Sequence, residues 1–150
     1  MEFIGIDFET YGKQHINQVG LRNYIAQQSF KPLIACMHRP FTESVYDFVL
    51  DKYLSSRDFY QFIKTGVAQA KDHPTASSLT ISSLPVLVAF NAPFERHVLS
   101  SMGLTPLVLD MAVVARAHGA SSSLQQASRQ LLNREEKEKS GTRLLRKFSL

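Results

Sequence analysis

The sequence predicts an α/β domain: a mixed sheet with helices on both faces. Three observations carry that expectation. Short apolar runs of strand length recur early, at residues 2–9, 33–38 and 42–50. A helix-period segment follows, with Phe59, Phe62, Ile63 and Val67 on one face. A continuous apolar run, residues 85–90, then leads straight into a second helical segment.

Taken in order, residues 2–9 read as the first strand, because Phe3, Ile4 and Ile6 crowd a short run and Gly5 permits close packing. Residues 10–18 are polar, carry Gly12 and read as a loop, and residues 19–28 as a short helix ending near Ser29. Residues 33–38 form a second strand between Pro32 and Pro40. In the third strand Val45, Asp47 and Val49 alternate with Tyr46, Phe48 and Leu50, and the short polar link before it makes the pair an antiparallel hairpin. Ser55-Ser56-Arg57-Asp58 resembles a helix N-terminus. Residues 72–83, rich in Ser and Thr, read as a loop. Residues 85–90 are a buried strand. Pro93 opens the next helix and Gly103 stops it. Residues 107–109 are a short strand, Asp110 caps a helix over 111–117, and Ser123 starts another through Leu132.

Composition narrows the function classes. With 150 residues and 44% hydrophobic content, the chain can bury one core. Its single cysteine, Cys36, cannot form an internal disulfide, so a reducing compartment such as the cytoplasm is expected. No run has the pattern of a signal peptide or the length of a membrane span, so no membrane partner is expected. Net charge is +4 with a pI near 9.3, compatible with nucleic acid. Residues 134–150 hold six basic against three acidic residues; they are read as a basic C-terminal segment of the domain formed by residues 1–133.

Two constellations carry chemistry. Asp7 and Glu9 stand two apart near the end of the first strand, where a period-two backbone sends both side chains to one face. Paired carboxylates raise each other's pKa unless a cation neutralises them, and hard oxygen ligands suit Mg²⁺ or Mn²⁺. An isolated pair of this kind is more often two exposed strand-end acids. The second constellation is Asn91-Ala92-Pro93-Phe94-Glu95, directly after the buried strand. If the strands before the two motifs are neighbours, Glu95 arrives near Asp7 and Glu9, at the carboxyl end of the sheet where α/β sites sit. Alone, Glu95 reads as a helix-start acid. No Gly-rich phosphate loop or zinc pattern is present. His15, His38 and His73 lack ligand-like spacing, and His97, one turn into its helix, reads as a surface or satisfied histidine rather than a ligand.

Asp7-Phe8-Glu9-Thr10 resembles the first motif of the DEDD exonucleases, and Asn91 to Glu95 resembles the second. Most members carry Asp where Glu95 stands; the branch fused to family A DNA polymerases of bacteriophages is similar to Asn-Ala-x-Phe-Glu-Arg as written here. Val19-Gly20-Leu21-Arg22-Asn23-Tyr24, Asp110-Met111-Ala112, Ser122-Ser123-Leu124 and Lys139-Ser140-Gly141-Thr142-Arg143-Leu144 resemble further landmarks of that branch, in order. The family's third motif, a Tyr or His followed by a catalytic Asp on a late helix, has no counterpart in these 150 residues: no tyrosine follows Tyr60, and His118 has no acid at the expected spacing.

The resemblance implies an RNase H-like sheet with the first strand central, lacking the last family helix. It implies 3′–5′ exonuclease activity of the proofreading type on single-stranded DNA 3′ ends by a two-metal mechanism. Asp7 would bridge both Mg²⁺ or Mn²⁺ ions, Glu9 would hold the first, and Glu95 would assist the second through water. Phe8, Thr10, Tyr11, Asn91 and Phe94 flank the carboxylates and would contact substrate; packing around a strand end is the alternative for the aromatic three. A DNA polymerase domain or a second copy of the chain are the partners implied, and the tail at residues 139–150 is a candidate to fill the place of the missing helix. The alternative function is a catalytically incomplete module of the same fold that binds single-stranded nucleic acid or a polymerase.

Overall fold

The computed structural model describes residues 2–39, 44–50, 53–65, 67–68, 79–80 and 85–133. The chain divides into two compact units, Met1–Asp110 and Met111–Leu150. The first contains β1 (Phe3–Tyr11), α1 (Ile16–Ile25), β2 (Lys31–Arg39), β3 (Ser44–Val49), α2 (Tyr53–Thr65), β4 (Val67–Ala68), β5 (Leu79–Thr80), β6 (Val86–Ala89), α3 (Pro93–Ser101) and β7 (Val108–Asp110). The second contains α4 (Met111–Ala117) and α5 (Leu124–Leu132).

Five strands form one mixed sheet in the order β3-β2-β1-β6-β7. β1 pairs antiparallel with β2, and β2 antiparallel with β3; β6 runs parallel to β1, and β7 parallel to β6. The α/β class and the central first strand therefore agree with the sequence reading. The pairing of β2 with β3 is antiparallel as expected, while the link between them lies outside the described residues.

Alternation along β1 explains where the core sits. Ile4, Ile6 and Phe8 are buried, and Asp7, Glu9 and Tyr11 are exposed, as period-two geometry requires when one face is covered. Ala35, Met37, Phe48, Leu87 and Val108 join the buried face through the strand register. Phe59, Phe62 and Ile63 of α2, and Val98 and Leu99 of α3, complete the cluster, with Ile25 of α1 packed against it. Helices α2 and α3 thus pack onto this face, with Ile25 of α1 against the same cluster. Phe59 is the hub. Its ring meets Phe8 edge-on at 5.9 Å and Phe48 at 5.5 Å, and it is fully buried.

Several boundaries move. β1 continues to Tyr11, because Tyr11 and Thr10 still pair with Lys31 and Pro32 beyond a bulge between Glu9 and Thr10. Pro32, which cannot donate to a ladder, stands opposite Thr10 at that irregularity. α1 begins at Ile16, earlier than expected, and is interrupted at Gly20 (φ 78°, ψ 161°), a conformation open to glycine. Val67, assigned to the helical stripe, instead starts β4, which pairs antiparallel with β5 inside the segment read as loop. Pro93 occupies the first turn of α3 and Gly103 follows its end with φ 73°, as expected.

In the second unit, Gly119 and Ala120 donate to Arg116 and Ala115 carbonyls and close α4. Ser121 receives Gln126 and Gln130 of α5: its backbone N–H donates to Gln130 Oε1 and its hydroxyl to Gln126 Oε1. Ala112, Ala115, Ala127 and Ser128 are buried. The basic segment 134–150, and with it the tail proposed to fill the missing helix's place, lies outside the described residues. No helix among the described residues is long and apolar enough to cross a membrane.

Candidate active site at the carboxyl end of the sheet

The register sets the level of each acid. Phe3, Ile4 and Gly5 of β1 stand beside Val86, Leu87 and Val88 of β6, so β6 ends at Ala89, about one residue short of Asp7. Ala89 in turn stands beside Asp110, the last residue of β7. The Phe90–Ala92 turn therefore leaves the sheet at the level of Asp7 and delivers Glu95 in the first turn of α3.

That turn is shaped by Asn91, whose φ of 70° is uncommon for a residue with a side chain but most tolerated by Asn and Asp. The Asn91 N–H donates to Asp110 Oδ1 at 3.1 Å, and the Phe94 N–H to the Asn91 carbonyl at 3.4 Å. Asp110 thus ties the end of β7 to the turn after β6, a link that its reading as a helix cap did not contain. Arg96 of α3 reaches the Val108 carbonyl at 2.6 Å and fixes the same helix to the same strand.

Glu95 is the most unusual group. It is 4% exposed, and its Oε2 has no hydrogen-bond partner. Burial pushes its pKa up to about 7; the negative charges of Asp7 and Asp110 add to the rise, and a backbone hydrogen bond opposes it. Asp7 is raised by loss of hydration, partly offset by the Phe8 N–H. Glu9 is raised by loss of hydration and then by the Asp7 charge. The three acids are coupled through Asp7.

The coupling stops short of a formed metal cage. Asp7 and Glu9 project from the face of β1 opposite the core, while Glu95 comes from a helix whose inner side belongs to that core. Among the described residues no group of three His, Cys, Asp or Glu side chains is gathered so as to hold a metal ion. The donors are nonetheless of the hard oxygen type, and the orphaned Glu95 oxygen is the kind of atom a cation would satisfy.

The flanking residues divide. Tyr11 is exposed on the same face as Asp7 and Glu9, and Asn91 is exposed at the turn. Phe8 is 5% exposed and locked in the core against Phe59, so it is corrected from a substrate contact to a packing residue; strand alternation turns it away from the acids. Phe94 packs against the same core cluster. The Thr10 hydroxyl is engaged, its Oγ1 lying 3.0 Å from Tyr24 Oη.

The sequence reading did not contain the alignment of Cys36 and Asp47 with Asp7. Cys36 stands opposite Asp7 on β2, and Asp47 stands opposite Cys36 on β3, one row across three strands. Burial, the thiol's hydrogen bond to Asp47 and the charges of Asp47, Asp7 and Glu9 push the Cys36 thiol up to about 12. It is half-buried and stays protonated, the less reactive form of a thiol. Only the strand register could have revealed this row. A groove of about 660 Å³ lies elsewhere in this unit, among Ile25, Phe30, Leu33, Leu50, Tyr60 and Met102, and none of the acids lines it.

No protein-family model matches the chain, and a search of curated proteins finds no match.

Proposed function

We propose that this chain is the metal-binding part of a DEDD-type 3′–5′ exonuclease with an RNase H-like fold, hydrolysing phosphodiester bonds at single-stranded DNA 3′ ends. One observation carries the reading: a buried carboxylate with an orphaned oxygen, Glu95, follows the strand beside the one that bears Asp7 and Glu9. An unpartnered buried carboxylate is tolerable only when a proton or a cation neutralises it. The central position of β1 in a mixed sheet supports the same reading.

When bound, Mg²⁺ or Mn²⁺ ions supply charge stabilisation for the attacking and leaving oxygens. Asp7 would hold both ions, Glu9 one and Glu95 the other, with Glu95 releasing its proton to solvent as it takes up that role. Asn91 and Asp110 keep the turn that presents Glu95 in place. The third-motif acid has no counterpart in these residues; a further segment or a polymerase domain would supply it.

The test is a 5′-labelled single-stranded DNA oligonucleotide incubated with Mg²⁺ or Mn²⁺, with a segment carrying the third-motif acid supplied in trans. Shortening one nucleotide at a time from the 3′ end, lost with EDTA and in Asp7→Ala, is the expected result. Cleavage that survives EDTA or Asp7→Ala overturns the mechanism.

A second reading is a non-catalytic module of the same fold that binds single-stranded nucleic acid or a polymerase. That the third motif has no counterpart in these residues favours it. Binding of the oligonucleotide with no metal-dependent shortening, even when the missing segment is added in trans, would decide for this reading.

A further inference from the structure

We infer that the face of β1 beyond Glu9, together with the loop that follows, is the surface that receives the nucleic-acid strand, with Tyr11 as stacking platform and Lys31 and Lys13 as phosphate contacts. This rests on the nucleic-acid reading above and adds to it the residues and direction of approach.

Position comes first. Asp7, Glu9 and Tyr11 are at i, i+2 and i+4 of one strand and exposed on one face, so the ring lies about 7 Å beyond Glu9 at the usual strand rise. Lys31 is the cross-strand partner of Tyr11, and such partners project to the same face. A cation therefore sits beside an exposed ring, in file with the two acids.

Charge comes second. Between Glu9 and Glu43 the sequence contains four Lys or Arg residues and no Asp or Glu. Arg39 is held by Glu2 at 2.7 Å, which leaves Lys13, Arg22 and Lys31, all exposed. Along this stretch of chain, residues 10–42, a polyanion meets no acidic side chain.

Rigidity comes third. The loop after β1 is fastened to the end of α1 by several independent contacts. Tyr24 Oη bonds Thr10 Oγ1, and the Tyr24 ring lies so close to Gly12 that a Cβ there would come within 2.5 Å of it. The Lys13 N–H donates to Ser29 Oγ at 3.0 Å. Gln14 and Gln27 exchange two hydrogen bonds, at 2.9 and 3.2 Å. Phe30 closes the set edge-on to Tyr24, 5.5 Å away. These contacts use backbone groups of Lys13 and Gln14 and leave the Lys13 ammonium at the surface. A surface ordered in advance loses little entropy on binding.

The probe is a fluorescein-labelled 12-residue dT oligonucleotide, its anisotropy followed in EDTA from 50 to 300 mM NaCl. Each phosphate contact in a single strand contributes about 0.7 to the slope of log K against log salt. Lys13→Ala/Lys31→Ala is expected to lower that slope by about 1 to 1.5, and Tyr11→Ala to weaken binding by about tenfold with the slope unchanged. Lys64→Ala, at the exposed end of α2, should leave both quantities alone. An unchanged slope in the double variant overturns the inference, as does a loss in Lys64→Ala of the same size. So does competition by polyglutamate equal to that of unlabelled dT. Loss of cleavage in Asp7→Ala is read separately: shortening without these binding effects sinks the surface alone, and these effects without shortening, even with the missing segment added in trans, sink the nuclease alone.

Discussion

β1 carries two chemistries on its two faces, and the contrast shows how this fold separates stability from function. Ile4, Ile6 and Phe8 point into an aromatic cluster centred on Phe59. One residue out of phase, Asp7, Glu9 and Tyr11 point the other way, Asp7 opposite Cys36, Glu9 opposite Ile34 and Tyr11 opposite Lys31. Neighbouring residues, about 3.3 Å apart along the strand, thus face opposite sides of the sheet, because a strand's side chains alternate. What damages one face should spare the other.

The largest expected effect tests the core side. Phe59→Ala empties the centre of the cluster and should lower stability by about 3–5 kcal/mol, a large share of the roughly 5–15 kcal/mol typical of a domain. Denaturant titration measures it. A loss below about 1 kcal/mol would mean that Phe59 is not the hub.

Asp7→Ala tests the other side. Metal-dependent shortening of DNA should fall by about a thousandfold, near 4 kcal/mol of barrier, while the melting temperature holds or rises slightly. The rise follows from removing the charge that acts on Glu9 and Glu95. A melting temperature that collapses with activity would show that the two faces are not separable.

Glu95 sharpens the contrast through pH. Its folded pKa, about 7, lies above its ordinary 4.5, so the folded chain holds this proton more tightly than the unfolded chain does. Stability is therefore lost as pH rises from about 4.5 to about 7, by roughly 3 kcal/mol from this group. Asp7 and Glu9, also raised, act in the same direction. In the absence of divalent cations the protein should melt at a higher temperature at pH 5 than at pH 8. Glu95→Gln should raise the pH 8 value and flatten the profile. A wild-type profile already flat across that range would contradict the buried, unpartnered state of Glu95.

The smallest effects lie at the loop beside Tyr11. Gly12→Ala drives a methyl into the Tyr24 ring and should cost about 2 kcal/mol. Tyr24→Phe keeps that packing and removes only the bond to Thr10, about 1 kcal/mol. Chemical denaturation separates the two; equal losses would mean that the hydroxyl, not the ring, holds the loop.

Period and punctuation were enough for most elements in the sequence. The alternation around Phe48, the helical spacing of Phe59, Phe62 and Ile63, and the Pro93 start and Gly103 stop all state a local geometry that the chain then adopts. Asp7 and Glu9 on one face follow from the strand period alone. Val67 was misread because a stripe at helical spacing does not say where the helix stops, and its pairing with Thr80 depends on a residue thirteen positions away.

What only the tertiary structure decided is which residues from distant segments meet. The sequence contains Asp7, Cys36 and Asp47, but their alignment in one row depends on the registers of two strand pairs, and slipping either by one residue would send a side chain to the other face. The bond from Asn91 to Asp110, the ring of Tyr24 over Gly12, and the pairing of Tyr11 with Lys31 likewise join segments whose spacing carries no periodic signal. Glu95 shows the division most clearly. Its identity and its place at a helix start are local facts, whereas its burial, and with it a pKa near 7, exists only once strands and helix have packed and excluded water around it.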